Sequence, residues 1–231
     1  MVLICSFCFS AYKIYSVKQE ILDSEQIKHD LIELIEIPEE TIETEDFNID
    51  FSSLQNINSD VIGWILVEGT QINYPIVQGE NNYYYLNHSF DKSKNSAGWI
   101  FADYKNKFDN TDKNIVIYGH NMRDGSMFGS MLNILDAKWY ENEENTNITL
   151  YTENEKCIYK VFSIYKIENE DYYIKTEFKN DNEFEEFVKN LKKRSIKDFN
   201  VDISKDDNIL TLSTCANNNK YRIVLHSVRV K

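Results

Sequence analysis

The sequence predicts a mostly antiparallel β-barrel that carries additional helices. Eight short runs of β-branched and aromatic residues, bounded by Asn, Asp, Gly or Lys clusters, predict eight strands. The strands are unevenly spaced, and in the longest gap between them residues 184–191 place Phe, Val and Leu at helical intervals. A barrel with a helix inserted between two of its strands accommodates both observations.

Helical patterns flank and interrupt the strand region. Residues 16–45 carry apolar side chains at helical spacing, and residues 51–59 predict a short helix that leads into the barrel. Asp181 and Asn182 would cap the inserted helix, and the basic residues 192–194 suit its C-terminal end. The predicted strands are Trp64–Val67, Ile72–Val77, Gly98–Ala102, Asn114–Tyr118, Ile148–Tyr151, Cys157–Ile167, Asn208–Thr214 and Tyr221–Val230.

Length and composition exclude several classes of protein. The chain has 231 residues, enough for one domain with an appendage and a real hydrophobic core. Two prolines, seven glycines and 13% aromatic residues argue against a disordered or collagen-like chain. A formal net charge of −13 argues against a nucleic-acid partner, because binding the phosphate backbone requires clustered Lys and Arg.

Three regions are predicted along the chain. Residues 1–17 are mostly apolar and could be a membrane anchor or a buried terminal helix, since their uncharged stretch is shorter than the roughly 20 residues of a spanning helix. Residues 18–58 form a helical region and linker, in which Pro38 and the acidic run 39–46 break the helical pattern. Residues 59–231 form the barrel domain.

Among the four cysteines, Cys215 has the position that a nucleophile needs. Cys5 and Cys8 lie in the apolar N-terminus, and the alternating run around Cys157 predicts a small buried side chain there. The two remaining cysteines do not make a disulfide framework. Cys215 ends an apolar strand and precedes a polar turn, so its thiol would be both held and accessible. A buried structural cysteine is the alternative.

Arg222 opens the next predicted strand, seven residues after Cys215. A hairpin between the two strands would bring the guanidinium beside the thiol. There it would favour the thiolate and could donate hydrogen bonds to a developing oxyanion.

Four histidines compete for the role of proton-transfer partner. His29 on the polar N-terminal helix and His88 after an aromatic patch are interpreted as surface residues. His226 lies roughly 13 Å along the last strand from Arg222, too far to share a substrate atom with it. His120 follows a predicted strand and a glycine that permits a tight turn, which makes it the candidate base. A surface histidine is the open alternative at His120.

No pattern for a metal or nucleotide site is present in the sequence. The barrel region has no Cys-x-x-Cys and no histidine pair at ligand spacing, and residues 109–112 lack the full calcium-loop pattern. A phosphate-binding glycine loop is also missing. We therefore expect no metal and no cofactor.

Taken together, these residues resemble the sortase family, and class B sortases most closely. The resemblance rests on Tyr118–Asn121 (YGHN), Thr211–Cys215 (TLSTC) and Arg222, in this order, and extends from about Ser59 to the C-terminus. The helix-bearing insertion before the cysteine strand and the N-terminal helices favour class B over the smaller class A members. The resemblance implies a closed eight-stranded β-barrel.

The resemblance also implies a function. Sortases are cysteine transpeptidases that cleave a C-terminal sorting signal of secreted proteins and, through a thioacyl intermediate, join them to an amine of a peptidoglycan precursor. Cys215 would attack a threonine carbonyl, His120 would transfer protons, and Arg222 would orient the peptide or stabilise the oxyanion. Because sortases are anchored outside the membrane of Gram-positive bacteria, residues 1–17 become a short or truncated single-pass anchor and residues 59–231 an extracellular catalytic domain.

Six further residues match the peptide groove of the family. Two flank the nucleophile, two lie in a block of Asn, Tyr and Leu at residues 81–86, and two lie near the start of the insertion, where the match is looser. The turn between Cys215 and Arg222 is filled with Asn where some relatives carry an acidic residue, which leaves open whether a carboxylate assists His120. The predicted substrate-binding residues are Ser213, Thr214, Asn82, Leu86, Tyr173 and Ile174.

Two alternative functions fit the same residues. The first is a Cys-His peptidase that releases its acyl group to water instead of to an amine. The second is a membrane-tethered binding domain with an inert barrel, in which Cys215 is structural.

Overall fold

Eight strands of the chain close into one barrel, as the sequence predicts. The computed structural model describes residues 2–36, 48–168, 170–215 and 220–230. Within these residues two further short strands pair in a separate sheet that no sequence pattern predicted. The strands are β1 (Ile35–Glu36), β2 (Asn48–Ile49), β3 (Val61–Val67), β4 (Asn73–Val77), β5 (Phe101–Ala102), β6 (Asn114–His120), β7 (Asn147–Tyr151), β8 (Lys156–Glu168), β9 (Ile209–Cys215) and β10 (Tyr221–Arg229).

The order of strands around the barrel is β10-β8-β7-β3-β4-β5-β6-β9, and β9 pairs with β10 to close it. Neighbouring strands are antiparallel except at two places, where β4 pairs with β5 and β6 pairs with β9 in parallel. The predicted fold class, a mostly antiparallel closed barrel, is therefore confirmed. Parallel neighbours need a long connection, and between β6 and β9 the chain passes through β7, β8 and an inserted helix.

Helices flank the barrel and interrupt it at the predicted places. The α-helices are α1 (Val2–Glu33), α2 (Phe51–Ile57), α3 (Ala137–Tyr140) and α4 (Asp181–Arg194), with 3-10 turns at Tyr84–Leu86, Gly129–Leu135, Glu144–Thr146 and Tyr172–Ile174. The inserted helix before the cysteine-bearing strand is α4, and the helix that leads into the barrel is α2. The prediction of helices at the N-terminus and before β9 is confirmed.

The bounds of the first helix were predicted wrongly. The sequence predicted a helix from residue 16 to about residue 45, whereas α1 begins at Val2 and its last residue is Glu33. The apolar N-terminal residues belong to the same helix because they contain neither proline nor glycine to interrupt it. The predicted joint at Pro38 and residues 39–46 lies outside the described residues.

The cap of α4 is displaced by one residue from its predicted position. Asn180, and not the predicted Asp181 and Asn182, is the N-cap, and its side chain accepts a hydrogen bond from the Glu183 amide at 3.0 Å. The backbone of Asn180 is extended, as an N-cap requires, whereas Asp181 is already helical. At the other end, the three basic residues 192–194 occupy the last turn as predicted.

The middle of α1 lies against the barrel. The side-chain amide of Asn95 donates to the Glu20 carbonyl at 2.7 Å and contacts the Ser24 hydroxyl at 2.9 Å. Leu31 of α1 is buried. The start of α1 is exposed instead, since Leu3 and Phe7 expose 85% and 73% of their surface. Among the described residues, no helix has both the length and the apolar character that crossing a membrane requires.

The hydrophobic core has two parts. One fills the barrel, and the other lies between the barrel and α4. The four apolar residues that predicted α4 by their spacing are all buried in this second part, which confirms the predicted face of the helix. They are Phe184, Phe187, Val188 and Leu191.

One titratable side chain is fully buried beside this second part of the core. His226 on β10 has no exposed surface and lies against the rings of Phe162 and Tyr165, with centroids 5.9 and 5.4 Å from its own. Burial lowers the pKa of His226 from 6.5 to about 3, so the imidazole stays neutral in the folded protein.

This burial predicts a specific loss of stability in acid. Between pH 6.5 and pH 3 the unfolded chain binds a proton at His226 that the folded chain rejects, so the free energy of unfolding falls as the pH falls. From pH 7 to pH 5 we expect the parent to lose about 2 kcal/mol more than a His226→Gln variant. Denaturant titrations of both proteins at the two pH values measure this difference. Equal losses in the two proteins would contradict the burial of a neutral histidine.

Candidate active site

The pairing of β6 with β9 brings His120 and Cys215 together. The two strands run parallel in register from Asn114 opposite Ile209 to His120 opposite Cys215. Parallel strands end at the same edge of a sheet, so the last residues of β6 and β9 are neighbours at one edge of the barrel. The two residues are 95 positions apart in the sequence, and their adjacency follows from this register alone.

Arg222 lies at the same edge of the barrel. β10 runs antiparallel to β9, with Val224 opposite Ser213. Arg222 is two residues before Val224 and Cys215 is two residues after Ser213, so both lie beyond this pair in the same direction. Arg222 is half-buried. The structure thus places all three predicted catalytic residues at one edge of the barrel.

A backbone carbonyl orients the imidazole of His120. The Nε2 atom of His120 lies 2.7 Å from the carbonyl oxygen of Leu86. A carbonyl oxygen can only accept, so Nε2 carries the proton in this contact. Leu86 was predicted as a groove residue, and the structure shows that its main chain also contacts the predicted base.

Gly98 leaves the space in which this contact forms. Its φ is +61°, and a Cβ built there would lie 2.4 Å from the Tyr85 carbonyl oxygen and 2.9 Å from that of Leu86. The same Cβ would lie 3.0 Å from Cδ2 of His120. Both the backbone conformation and the close approach therefore require glycine. Gly98 was predicted as the first residue of a strand, and its place in the sequence does not indicate this role.

Asn82 is held by the buried carboxylate of Asp103, a residue for which no role was predicted from the sequence. The Asp103 Oδ2 atom accepts from the Asn82 side-chain amide and from the Tyr118 hydroxyl, at 2.8 Å in each case. The amide oxygen of Asn82 accepts from the Tyr104 backbone at 3.0 Å. Asp103 follows the predicted strand 98–102 directly, and an acidic residue at a strand end was the available signal.

The remaining predicted groove residues lie around β9 and the start of the insertion. The hydroxyl groups of Ser213 and Tyr173 are 2.9 Å apart, and both residues are buried. Thr214 is buried too, and its hydroxyl accepts from the Ile223 amide at 2.9 Å. Ile174 is half-buried and packs against both parts of the core.

The other histidines lie elsewhere. His29 is exposed on α1, as predicted. His88 was interpreted as a surface residue but is half-buried, because its ring stacks on Tyr84 at 4.0 Å between centroids. His226 is buried away from solvent. Within the described part of the chain, potential metal ligands cluster only at His29, Asp30 and Glu33, which are all exposed.

Cys157 is a small buried side chain, as its alternating run predicted. It is buried, with 2% of its surface exposed. Burial raises the pKa of its thiol to about 11, so the thiol stays protonated at neutral pH.

The fold and the site define a closed β-barrel protein in which a histidine and a cysteine end adjacent parallel strands. Residues 65–230 match the family model of the sortase domain, and the chain belongs to the sortase family. Membership makes it a cysteine transpeptidase, as the resemblance implied.

Three relatives that are similar to this chain are class B sortases. Sortase B of Listeria monocytogenes is 39% identical over 168 residues, which are 73% of this chain and 68% of that protein. The crystal structure of sortase B from B. anthracis in complex with AAEK1 aligns with a TM-score of 0.82 at 32% identity, over 93% of this chain and 100% of that one. A Staphylococcus aureus sortase B–substrate complex aligns with a TM-score of 0.79 at 33% identity, over 93% of this chain and 97% of that one. The predicted resemblance to class B is confirmed.

The close packing at Gly98 predicts a matched pair of glycine variants. In Gly98→Ala the added Cβ strains a left-handed residue and displaces the Leu86 carbonyl that contacts His120. We expect peptide cleavage to fall about tenfold or more, because a small misplacement of a catalytic group is costly. Cleavage rate and melting temperature are the measurements.

Gly79→Ala is the control for this prediction. A Cβ at Gly79 meets no atom closer than 3.5 Å, and its φ is not in the left-handed region. We expect it to keep the parent rate and melting temperature. Equal rates for Gly98→Ala and the parent would show that the glycine is not needed to place His120.

Proposed function

We propose that this protein cleaves a C-terminal sorting signal of secreted proteins and transfers the new acyl group to an amine of a cell-wall precursor. The observation that carries the proposal is the register that sets His120 beside Cys215 on parallel strands. The sortase family match and the S. aureus relative solved as a substrate complex add support.

In the first half-reaction, His120 takes the thiol proton and the Cys215 sulfur attacks the carbonyl carbon of the substrate threonine. A sulfur–carbon bond forms, and the carbonyl oxygen becomes an oxyanion. When the tetrahedral intermediate collapses, the peptide carbon–nitrogen bond breaks. The leaving amine departs with the proton from His120, and a thioester on Cys215 remains.

In the second half-reaction, an incoming amine attacks the thioester and gives a proton to His120. Collapse forms the new amide bond and expels the Cys215 thiolate, which recovers the proton from His120. Because Nε2 of His120 donates to the Leu86 carbonyl, we assign proton transfer to Nδ1. Every proton and bond in these steps is supplied by Cys215, His120 and the two substrates, so the steps require no metal ion or cofactor.

Arg222 would act through its positive charge and would not transfer protons. A guanidinium keeps its charge at any physiological pH and presents several donors in a fixed plane. At the edge where β9 ends, it would favour the thiolate of Cys215 and stabilise the oxyanion. It would also orient the peptide backbone through its remaining donors.

The peptide groove would lie between two walls. One is the segment that contains Asn82 and Leu86, held on the barrel by Asp103. The other is the 3-10 turn Tyr172–Ile174, which carries Tyr173 and Ile174. We assign Ser213 and Thr214 to the floor beside the nucleophile.

Two cysteines provide a matched test of the mechanism. A randomised peptide library with one fixed threonine selects a probe peptide that the parent cleaves. We expect Cys215→Ala to cleave no probe, and Cys157→Ala to keep the parent rate because Cys157 is buried with a protonated thiol. With excess oligoglycine, mass spectrometry of the parent reaction should show a ligated product.

The outcomes separate the proposed function from its alternatives. Cleavage at the parent rate by Cys215→Ala would refute the cysteine mechanism. A product that remains the free acid at every amine concentration would instead favour a Cys-His peptidase. If the parent selects no peptide and Cys215 resists alkylation under native conditions, a non-catalytic binding domain is the better description.

We also propose that residues 59–231 work outside the cell and that residues 1–17 attach them to the membrane. The support is the exposed apolar surface at the start of α1, including Leu3, Phe7 and Ile14. Fractionation of cells that express the full chain should place it with membranes, and a variant that lacks residues 1–17 should be released. If both forms distribute alike, the attachment proposal is wrong.

A further inference from the structure

Three buried polar side chains in the barrel have no part in the steps above. Asn114, Thr211 and His226 each expose no surface and lie on β6, β9 and β10. Burying a polar group is unfavourable unless its hydrogen bonds are made, and these three bond to one another. The Thr211 hydroxyl donates to Oδ1 of Asn114 at 2.7 Å and lies 2.8 Å from Nδ1 of His226.

The direction of each hydrogen bond follows from the number of protons that each group can donate. A hydroxyl has one proton, and that of Thr211 is used on Asn114, so Nδ1 of His226 must donate to Thr211. The neutral ring then accepts at Nε2, where the Tyr165 hydroxyl lies 2.8 Å away. The lowered pKa of His226 agrees with a neutral ring. The Tyr172 hydroxyl in turn donates to that of Tyr165 at 2.9 Å.

Both ends of this chain of bonds reach the same short segment. It starts at the side chain of Tyr172. It finishes at Asn114, whose side-chain nitrogen lies 3.3 Å from the carbonyl oxygen of Tyr173 and 2.9 Å from that of Lys175. We call the side chains of Tyr172, Tyr165, His226, Thr211 and Asn114 the buried circuit.

The buried circuit ties this segment to the strand of the nucleophile. Thr211 is on β9, four residues before Cys215, and the segment also contacts β9 through Tyr173 and Ser213. Every hydrogen bond in the circuit is donated in the same direction, from Tyr172 towards Asn114. Loss of one hydroxyl therefore leaves both of its neighbours in the circuit without a partner. The segment would then populate other conformations.

We propose that His226 and Thr211 are positioning residues that hold the segment Tyr172–Lys175 in the conformation that accepts the sorting peptide. The inference rests on the proposed function, because the proposed function assigns this segment to the peptide groove. His226 and Thr211 touch no substrate and act only through the segment. Their loss should therefore weaken peptide binding and leave the chemical steps at Cys215 and His120 intact.

The test compares Thr211→Val, which removes the hydroxyl at nearly constant shape, with Thr211→Ser, which keeps it. For the probe peptide we expect Thr211→Val to raise KM between about threefold and tenfold with kcat within about twofold, because a smaller fraction of molecules is competent to bind. Thr211→Ser should restore the parent KM. Hydrogen exchange should show faster deuterium uptake across residues 170–178 in Thr211→Val only.

Thr146→Val is the matched control. Thr146 is also buried, and its hydroxyl also donates one hydrogen bond, to the Glu143 carbonyl at 2.7 Å. It belongs to a different turn, so KM and exchange across residues 170–178 should stay at the parent values. Equal effects of Thr146→Val and Thr211→Val would show that Thr211→Val acts through general stability and not through the buried circuit. That result would overturn the proposal.

Tyr172→Phe keeps the proposal testable if Thr211→Val does not fold. It removes the donor at the other end of the circuit from a half-buried side chain, so the barrel itself is spared. An unchanged KM and unchanged exchange in folded Tyr172→Phe would overturn the inference while the proposed function stands. If the parent cleaves no peptide, the function fails, and the exchange measurement still decides whether the circuit holds the segment.

Discussion

The parallel pairing of β6 with β9 is the interaction on which the rest of the molecule depends. Parallel neighbours cannot be joined by a tight turn, so the chain must leave the end of β6 and return to the start of β9. It does so through β7, β8 and α4, which complete the barrel and build the second part of the core. The helix-bearing insertion is therefore part of the connection that lets two strands end side by side.

Main-chain atoms and buried polar groups, rather than flexible side chains, position the candidate site. The Leu86 carbonyl orients His120, and Gly98 gives that carbonyl its space. Asp103 joins Asn82 to Tyr118, two residues before His120 on β6. Groups fixed in this way lose little conformational freedom when a peptide binds, which favours a defined geometry for acyl transfer.

Local sequence patterns were sufficient to predict the fold. They missed the features that depend on contacts between residues far apart in the sequence. The eight strands were recognised because β-branched runs and their bounding residues are local signals. The same signals missed the two-residue strands β1 and β2, which are too short to have a pattern. Asp103 and the buried circuit were missed because a lone Asp, Thr or His looks the same in sequence whether it is exposed or paired inside a barrel.

The sequence by itself determined the succession of the barrel strands and their flanking helices and the amphipathic face of α4, and it led to the prediction that Cys215, His120 and Arg222 form the reactive set. Only the tertiary structure decided that residues 95 positions apart lie opposite one another, since strand register depends on pairing across the whole chain. It also decided the state of His226, whose neutral ring results from burial among residues of β8 and β9. Residue type determines what a side chain can do, and burial and pairing determine which of those possibilities is realised.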